Sequence, residues 1–258
     1  LAEVHSEDGK TDIVHVVEIA AKSQAAGFKD LKIHDRIIRV GTTSVESLDF
    51  KQIMDKIKDR IVNFKDLKTD NFILLRHDVE FSLERALEIA LIEKQKNISS
   101  NFFIQVLSGA YNPFSVRNLK IINQIISCGH EIGLHFYVTH LEKDNHSQMI
   151  KELKKQKKIF ETGLELECNI FSFHRPPSWI LKNRDDYVDG MINVYGDSFF
   201  EFSDDPKNIK YIADSMHKWN YGHPIDYLSC KKIQILLHPD EWSINGSDDY
   251  EFFNQIIN

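Results

Sequence analysis

From Phe72 onward the chain repeats one pattern: a short apolar run, an end rich in histidine and charge, then a longer segment with helical periodicity. Phe72-Ile73-Leu74-Leu75 reads as a buried strand. After Ser82, a candidate helix N-cap, the apolar residues Leu83, Ala86, Leu87, Ala90 and Leu91 share one helical face. Phe102-Phe103-Ile104-Gln105-Val106 follows as a strand, then a helix carrying Leu119, Ile122, Ile125 and Ile126, a break at Cys128-Gly129, and the strand Ile132-Gly133-Leu134. Further strands are expected at 169–173, 210–213 and 233–237. Strands alternating with helices build a parallel sheet covered by helices, so the expected class is α/β.

The ends of the strands carry the chemistry. Arg76-His77-Asp78-Val79-Glu80 follows the first run, His135 the third, His174-Arg175, Asp214 and His238 the later ones. In a βα barrel the groups just past the C-terminal strand ends converge on one mouth, so residues far apart in sequence would meet. Histidines meeting carboxylates there form a donor set suited to zinc and other divalent first-row ions.

The first 60 residues have a different rhythm. Residues 13 to 19 read as a β-branched strand, Lys22 to Gly27 as a turn or short helix, and Asp35 to Val40 as a second strand stopped at Gly41. Leu48, Ile53, Met54 and Ile57 then fall at helical spacing, which completes a small α+β module. The boundary is expected within residues 60–71, giving domains over 1–62 and 63–258.

Composition excludes several function classes. A hydrophobic content of 42% in 258 residues is enough for one sizeable core or two domains. The formal charge of -7 is spread over mixed acids and bases, without the basic stripe that nucleic acid requires. No apolar run nears the roughly 20 residues needed to span a bilayer, and residues 1 to 20 carry no signal-peptide pattern. Cys128, Cys168 and Cys230 are too few for a disulfide framework, which favours a reducing, cytoplasmic setting. Because the chain opens on Leu1, a signal or anchor upstream is left open.

Five ordered segments resemble the polysaccharide deacetylase, or NodB-homology, family over residues 72–245: Leu75 to Glu80, Gly129 to His135, Phe173 to Pro177, Tyr211 to Ser215, and Leu237 to Trp242. The likeness is greatest to a branch beginning Arg-His-Asp-Val-Asp. The resemblance implies an irregular (β/α) barrel in which one carboxylate is the base while another carboxylate and histidines hold one divalent metal, zinc being the expected ion. On that pattern Asp78 is the base, His238 the general acid, and Arg175 the arginine that orients Asp78. Glu80 takes the metal-carboxylate place, where the branch has aspartate, and His135 matches the first histidine ligand. The second histidine position is Thr139, with His140 one residue later, so His140 and His174 remain alternatives for the third ligand.

The implied activity is removal of acetyl from an N-acetylated amino sugar or polysaccharide. Such hydrolysis needs an activated water, a polarised carbonyl and a proton for the departing amine, which those residue types can supply. A catalytically impaired binding protein, or a hydrolase of another non-peptide carbon–nitrogen bond, stays open beside it. His77, His130 and Glu131 are read as structural, and Phe173, Trp179 and Trp242 as packing before sugar contacts.

Residues 1–60 in turn resemble a PDZ domain, through Ser23 to Phe28 and His34 to Gly41. That implies a docking module with a possible protein partner, Phe50 near the groove favouring an apolar ligand side chain. The loop that would grip a peptide carboxylate is expected to precede Leu1.

Overall fold

The computed structural model describes residues 2–6, 14–19, 39–40, 43–44, 51, 53–202, 209–215, 219 and 221–242. The PDZ-like segment Ser23 to Phe28, most of His34 to Gly41, and Phe50 lie outside these residues. Two compact units form, one from residues 1–53 with 242–258 and the other from residues 54–241. In the smaller, β1 (Ala2–Ser6) pairs antiparallel with β2 (Val14–Ile19), and β3 (Arg39–Val40) with β4 (Thr43–Ser44).

The larger unit is built on one eight-stranded sheet. Its strands are β5 (Phe72–Val79), β6 (Asn101–Ile104), β7 (Glu131–Tyr137), β8 (Ile170–His174), β9 (Tyr187–Val188), β10 (Met191–Asn193), β11 (Ile209–Ala213) and β12 (Lys232–Leu237). They lie in the order β11-β12-β5-β6-β7-β8-β10-β9, parallel throughout except for the antiparallel edge strand β9. Among the described residues no pairing joins β11 to β9, so the sheet is open at its edges. All eight positions of β5 are buried, as a central parallel strand covered on both faces requires.

The sheet is strongly curved. Ser172 on β8 accepts from Arg76 on β5 at 3.2 Å, although β6 and β7 lie between them. Three strand spacings would separate those strands by roughly 14 Å if the sheet were flat. Gln234 on β12 likewise donates to the carbonyls of Val194 and Phe199, beyond β10, at 2.9 and 2.8 Å. Both links cross the concave face, where the interior of a barrel would be.

The helices cover the other face. α1 (Leu83–Gln95), α2 (Val116–Ser127) and α3 (His146–Leu164) each start on a side-chain cap, from Ser82, Ser115 and Asn145. Each cap satisfies one of the orphan N–H groups of the first turn. The buried stripe of α1 differs from the apolar periodicity: it takes in Ile89 and Glu93, while Leu91 is 44% exposed. The cause is polar. Glu93 stands 2.8 Å from His77 Nε2 and accepts from Ser100 Oγ at 2.6 Å, so a carboxylate occupies the face turned to the sheet.

Residues 60–71 belong to the larger unit: Arg60 donates to the carbonyl of Leu228 and Val62 N to that of Ile73. No helix among the described residues is long and apolar enough to cross a membrane.

Gly133 is where this packing is least tolerant. A Cβ there would stand 2.7 Å from Phe103 Cε1 and 2.9 Å from Ile170 Cγ2, both in buried side chains of the flanking strands. Gly133→Ala is expected to cost about 1–3 kcal/mol by overpacking. Urea unfolding of the two proteins checks it, and an unchanged midpoint would contradict the tight β6–β7–β8 contact.

Candidate active site

Alternation along β5 sets which of its end residues can act together. Successive strand side chains point to opposite faces, so Arg76, Asp78 and Glu80 fall on one side and His77 and Val79 on the other. The contacts agree: Asp78 and Arg76 meet Ser172 on the concave face, whereas His77 meets Glu93 of α1. β5 is also longer than its apolar run, because pairing with β6 continues from Arg76↔Asn101 to Val79↔Ile104. Asp78 and His135 therefore lie within strands, and Glu80 is the first residue past the end of β5. Tyr111 fixes that end by donating to the Val79 carbonyl at 2.8 Å while accepting from Gln105 N at 3.0 Å.

Glu80, His135 and His174 converge there, with ligand atoms all within 4.8 Å of one another. Glu80 Oε1 is 2.9 Å from His174 Nδ1 and 3.4 Å from His135 Nε2, and the two nitrogens are 3.3 Å apart. Around a tetrahedral zinc with bonds near 2.0–2.1 Å, neighbouring ligand atoms are separated by about 3.3 Å. The three donors are thus spaced as a metal would need them, and a two-nitrogen, one-carboxylate set suits a divalent ion. Burial alone would raise the pKa of Glu80, but hydrogen bonding to His135 and His174 outweighs it and holds the carboxyl well below its usual range.

Asp78 sits behind this cluster. Its Oδ2 accepts from Ser172 Oγ at 3.0 Å and lies 3.7 Å from Arg76 Nη2 and 3.8 Å from His135 Nδ1. Its Oδ1 is buried and has no hydrogen-bond partner. Arg76 is fully buried, donates to Ser172 Oγ and at 2.8 Å to Tyr195 OH, and lies 4.6 Å from the Tyr195 ring centroid. A buried cation is tolerated only when paired and hydrogen-bonded, and these groups meet both conditions.

His238, just past β12, is held by Asp214, just past β11. Asp214 accepts from the His238 backbone N at 2.9 Å, and its Oδ1 lies 2.7 Å from Nδ1 of the ring. Burial works against protonation of His238. The charge of Asp214, with smaller contributions from Glu80 and Asp78, prevails and lifts the pKa to about 10. His238 is thus within electrostatic reach of both Glu80 and Asp78.

Two of the sequence-derived positions fall elsewhere. Arg175 is 69% exposed, and its Nη2 lies 3.8 Å from Glu80 Oε2, so the guanidinium beside Asp78 is that of Arg76 and not of Arg175. His140 leaves the mouth altogether: β7 ends at Tyr137, and His140, 44% exposed, turns its Nε2 toward Glu152 on α3 at 3.8 Å. Of the two candidates for a third ligand only His174 joins the cluster. His77 and His130 are buried around Glu93, His130 against Ser100 and the Ala90 carbonyl, as structural residues would be. Phe173 and Trp179 are buried, at 2% and 5% exposure. Arg76, Ser172 and Tyr195 carried no site assignment from sequence, although the alternation of β5 places Arg76 on the face of Asp78 and Glu80.

No protein-family model and no curated protein matches the sequence. Solved structures are similar in part. A CE4 family pseudoenzyme from Bacillus anthracis is 14% identical with a TM-score of 0.47, over 84% of this chain and 78% of that one. The Xyl-CE4 domain of a multidomain xylanase from the hindgut metagenome of Trinervitermes trinervoides is 17% identical, TM-score 0.42, over 73% and 82%. A family 4 acetyl xylan esterase from Clostridium thermocellum, in complex with a cobalt ion, is 15% identical, TM-score 0.37, over 65% and 73%.

The Asp214–His238 pair makes a pH prediction. A histidine whose folded pKa is raised adds stability that is complete below its unfolded value near 6.5 and is lost as pH rises through about 10. His238 ring signals followed by NMR should stay those of the imidazolium through about pH 8, and Asp214→Asn should bring the midpoint down by at least one unit. A parent midpoint at the ordinary histidine value would contradict the pairing.

Proposed function

We propose that residues 54–241 form a metal-dependent hydrolase that removes N-acetyl groups from an amino sugar or polysaccharide. The observation that carries this reading is the meeting of Glu80, His135 and His174 beside Asp78, on segments whose order and wording resemble the deacetylase family. Glu80, His135 and His174 would hold the ion, and zinc is the one their donor set suits best. When bound, such an ion supplies Lewis-acid polarisation of the acetyl carbonyl and a more acidic water.

The protein's own groups do the rest. Asp78 takes the proton of the attacking water at Oδ1, the oxygen that no neighbour occupies. Ser172 and Arg76 hold the opposite oxygen, which aims the carboxylate and balances its charge inside the fold. His238, kept protonated by Asp214, gives a proton to the departing sugar nitrogen. The pairing pulls in two directions, since a strongly held proton is always available at neutral pH but is released less readily. The PDZ-like wording of residues 1–60 supports a docking role for the smaller unit, with a protein as its partner.

Acetate release from an N-acetylated chitooligosaccharide by the zinc-loaded protein tests this reading. Asp78→Asn is expected to lower the rate by about 10²-fold or more, the typical contribution of a positioned general base, while metal content is unchanged. If the metal-loaded parent releases no acetate from any of a panel of N-acetylated sugars, the hydrolase reading fails and binding becomes the function.

A further inference from the structure

Next to the metal-ligand cluster is a cavity of about 470 Å³, within the size range of small-molecule sites. Arg175, Lys143, Thr139, Ser178 and Trp179 line it, and no carboxylate does. Arg175 joins the two places, because it lines the cavity and its guanidinium lies 3.8 Å from Glu80. At that distance and with the side chain 69% exposed, Glu80 claims little of its binding capacity. Lys143 is exposed and has no ion-pair partner among the described residues. Its sequence neighbours Glu142 and Asp144 are acidic but do not line the cavity. Arg175 also has φ +48°, a strained left-handed conformation of the kind that gathers at ligand clamps.

The chemistry of the lining is specific. A guanidinium presents paired N–H donors that match a carboxylate, a lysine adds a point charge, and two hydroxyls can meet the hydroxyls of a sugar ring. Trp179, packed edge-on against His146 at 5.2 Å, gives a rigid apolar wall. We infer that this cavity receives an acidic sugar unit adjoining the N-acetylated one, so that the substrate class is a carboxylate-bearing glycan. The inference rests on the deacetylase reading. The chain as a whole carries a net charge of -7, so a polyanion gains nothing from the overall field. Any preference for it must come from these local cations and must vanish with them.

The test is calorimetric binding to the metal-free protein of a hyaluronan tetrasaccharide, which alternates N-acetylglucosamine with glucuronate, against the same sugar with its carboxylates methyl-esterified. At low salt the acid is expected to bind roughly tenfold tighter, the ratio that one charge-assisted hydrogen bond supplies. Lys143→Ala and Arg175→Ala should each reduce that ratio to within about twofold, while Lys158→Ala, an exposed lysine on α3, should leave it intact. Equal binding of the two sugars, binding of neither, or a preference that survives both cavity substitutions overturns the inference. The deacetylase reading is judged separately, by acetate release from a neutral N-acetylated oligosaccharide.

Discussion

The buried pair of Arg76 and Asp78, bridged by Ser172, is the interaction on which the site depends. Arg76 has no exposed surface, and leaving such a cation unpaired typically costs about 3–5 kcal/mol. Its partners come from three separate stretches of chain: Asp78 on its own strand, Ser172 on β8 and Tyr195 beyond β10. Satisfying the charge therefore requires the sheet to curve until β5 and β8 face each other. The same curvature brings His135, one position from the middle of β7, and His174, the last residue of β8, up to Glu80. Charge satisfaction and ligand convergence are two results of one bend.

Around that pair the titratable groups divide the work by environment. Glu80 is held ionised by two histidines, and His238 is held protonated by Asp214. Asp78 has one oxygen hydrogen-bonded to Ser172 and the other buried without a hydrogen-bond partner. Asp78, beside the Glu80–His135–His174 cluster, is held by Ser172, and His238 is held by Asp214. Because the groups come from β5, β7, β8, β11 and β12, small errors in strand register would separate them. The close fit of Gly133 between Phe103 and Ile170 guards against such slips next to His135.

Much of this was legible in the sequence because apolar runs followed by histidine or carboxylate mark strand ends. Asp78, Glu80, His135, His174, Asp214 and His238 were expected at strand ends for that reason, and they lie in or just past β5, β7, β8, β11 and β12. Arg76 stood in the same strand-end segment but was given no site role, whereas pairing with β6 carries the strand on to Val79 and the alternation of β5 puts Arg76 on the face of Asp78. Arg175 and His140 were placed by likeness to a motif. In the structure Arg175 leaves β8 in the left-handed region, and His140 follows the turn after Tyr137 out to α3. Glu93 on the buried face of α1 was equally invisible to a rule that looks for apolar residues at helical spacing, since the pull there is His77 and Ser100.

The central claim is that Glu80, His135 and His174 make up the metal-binding set. Zinc per chain, measured by elemental analysis after chelation and zinc return, tests it most directly in the parent and in His174→Ala and His140→Ala. One zinc in the parent and in His140→Ala, with loss in His174→Ala, is the result this geometry predicts. A parent that takes up no stoichiometric metal, or one whose metal is lost with His140 and kept without His174, would contradict it.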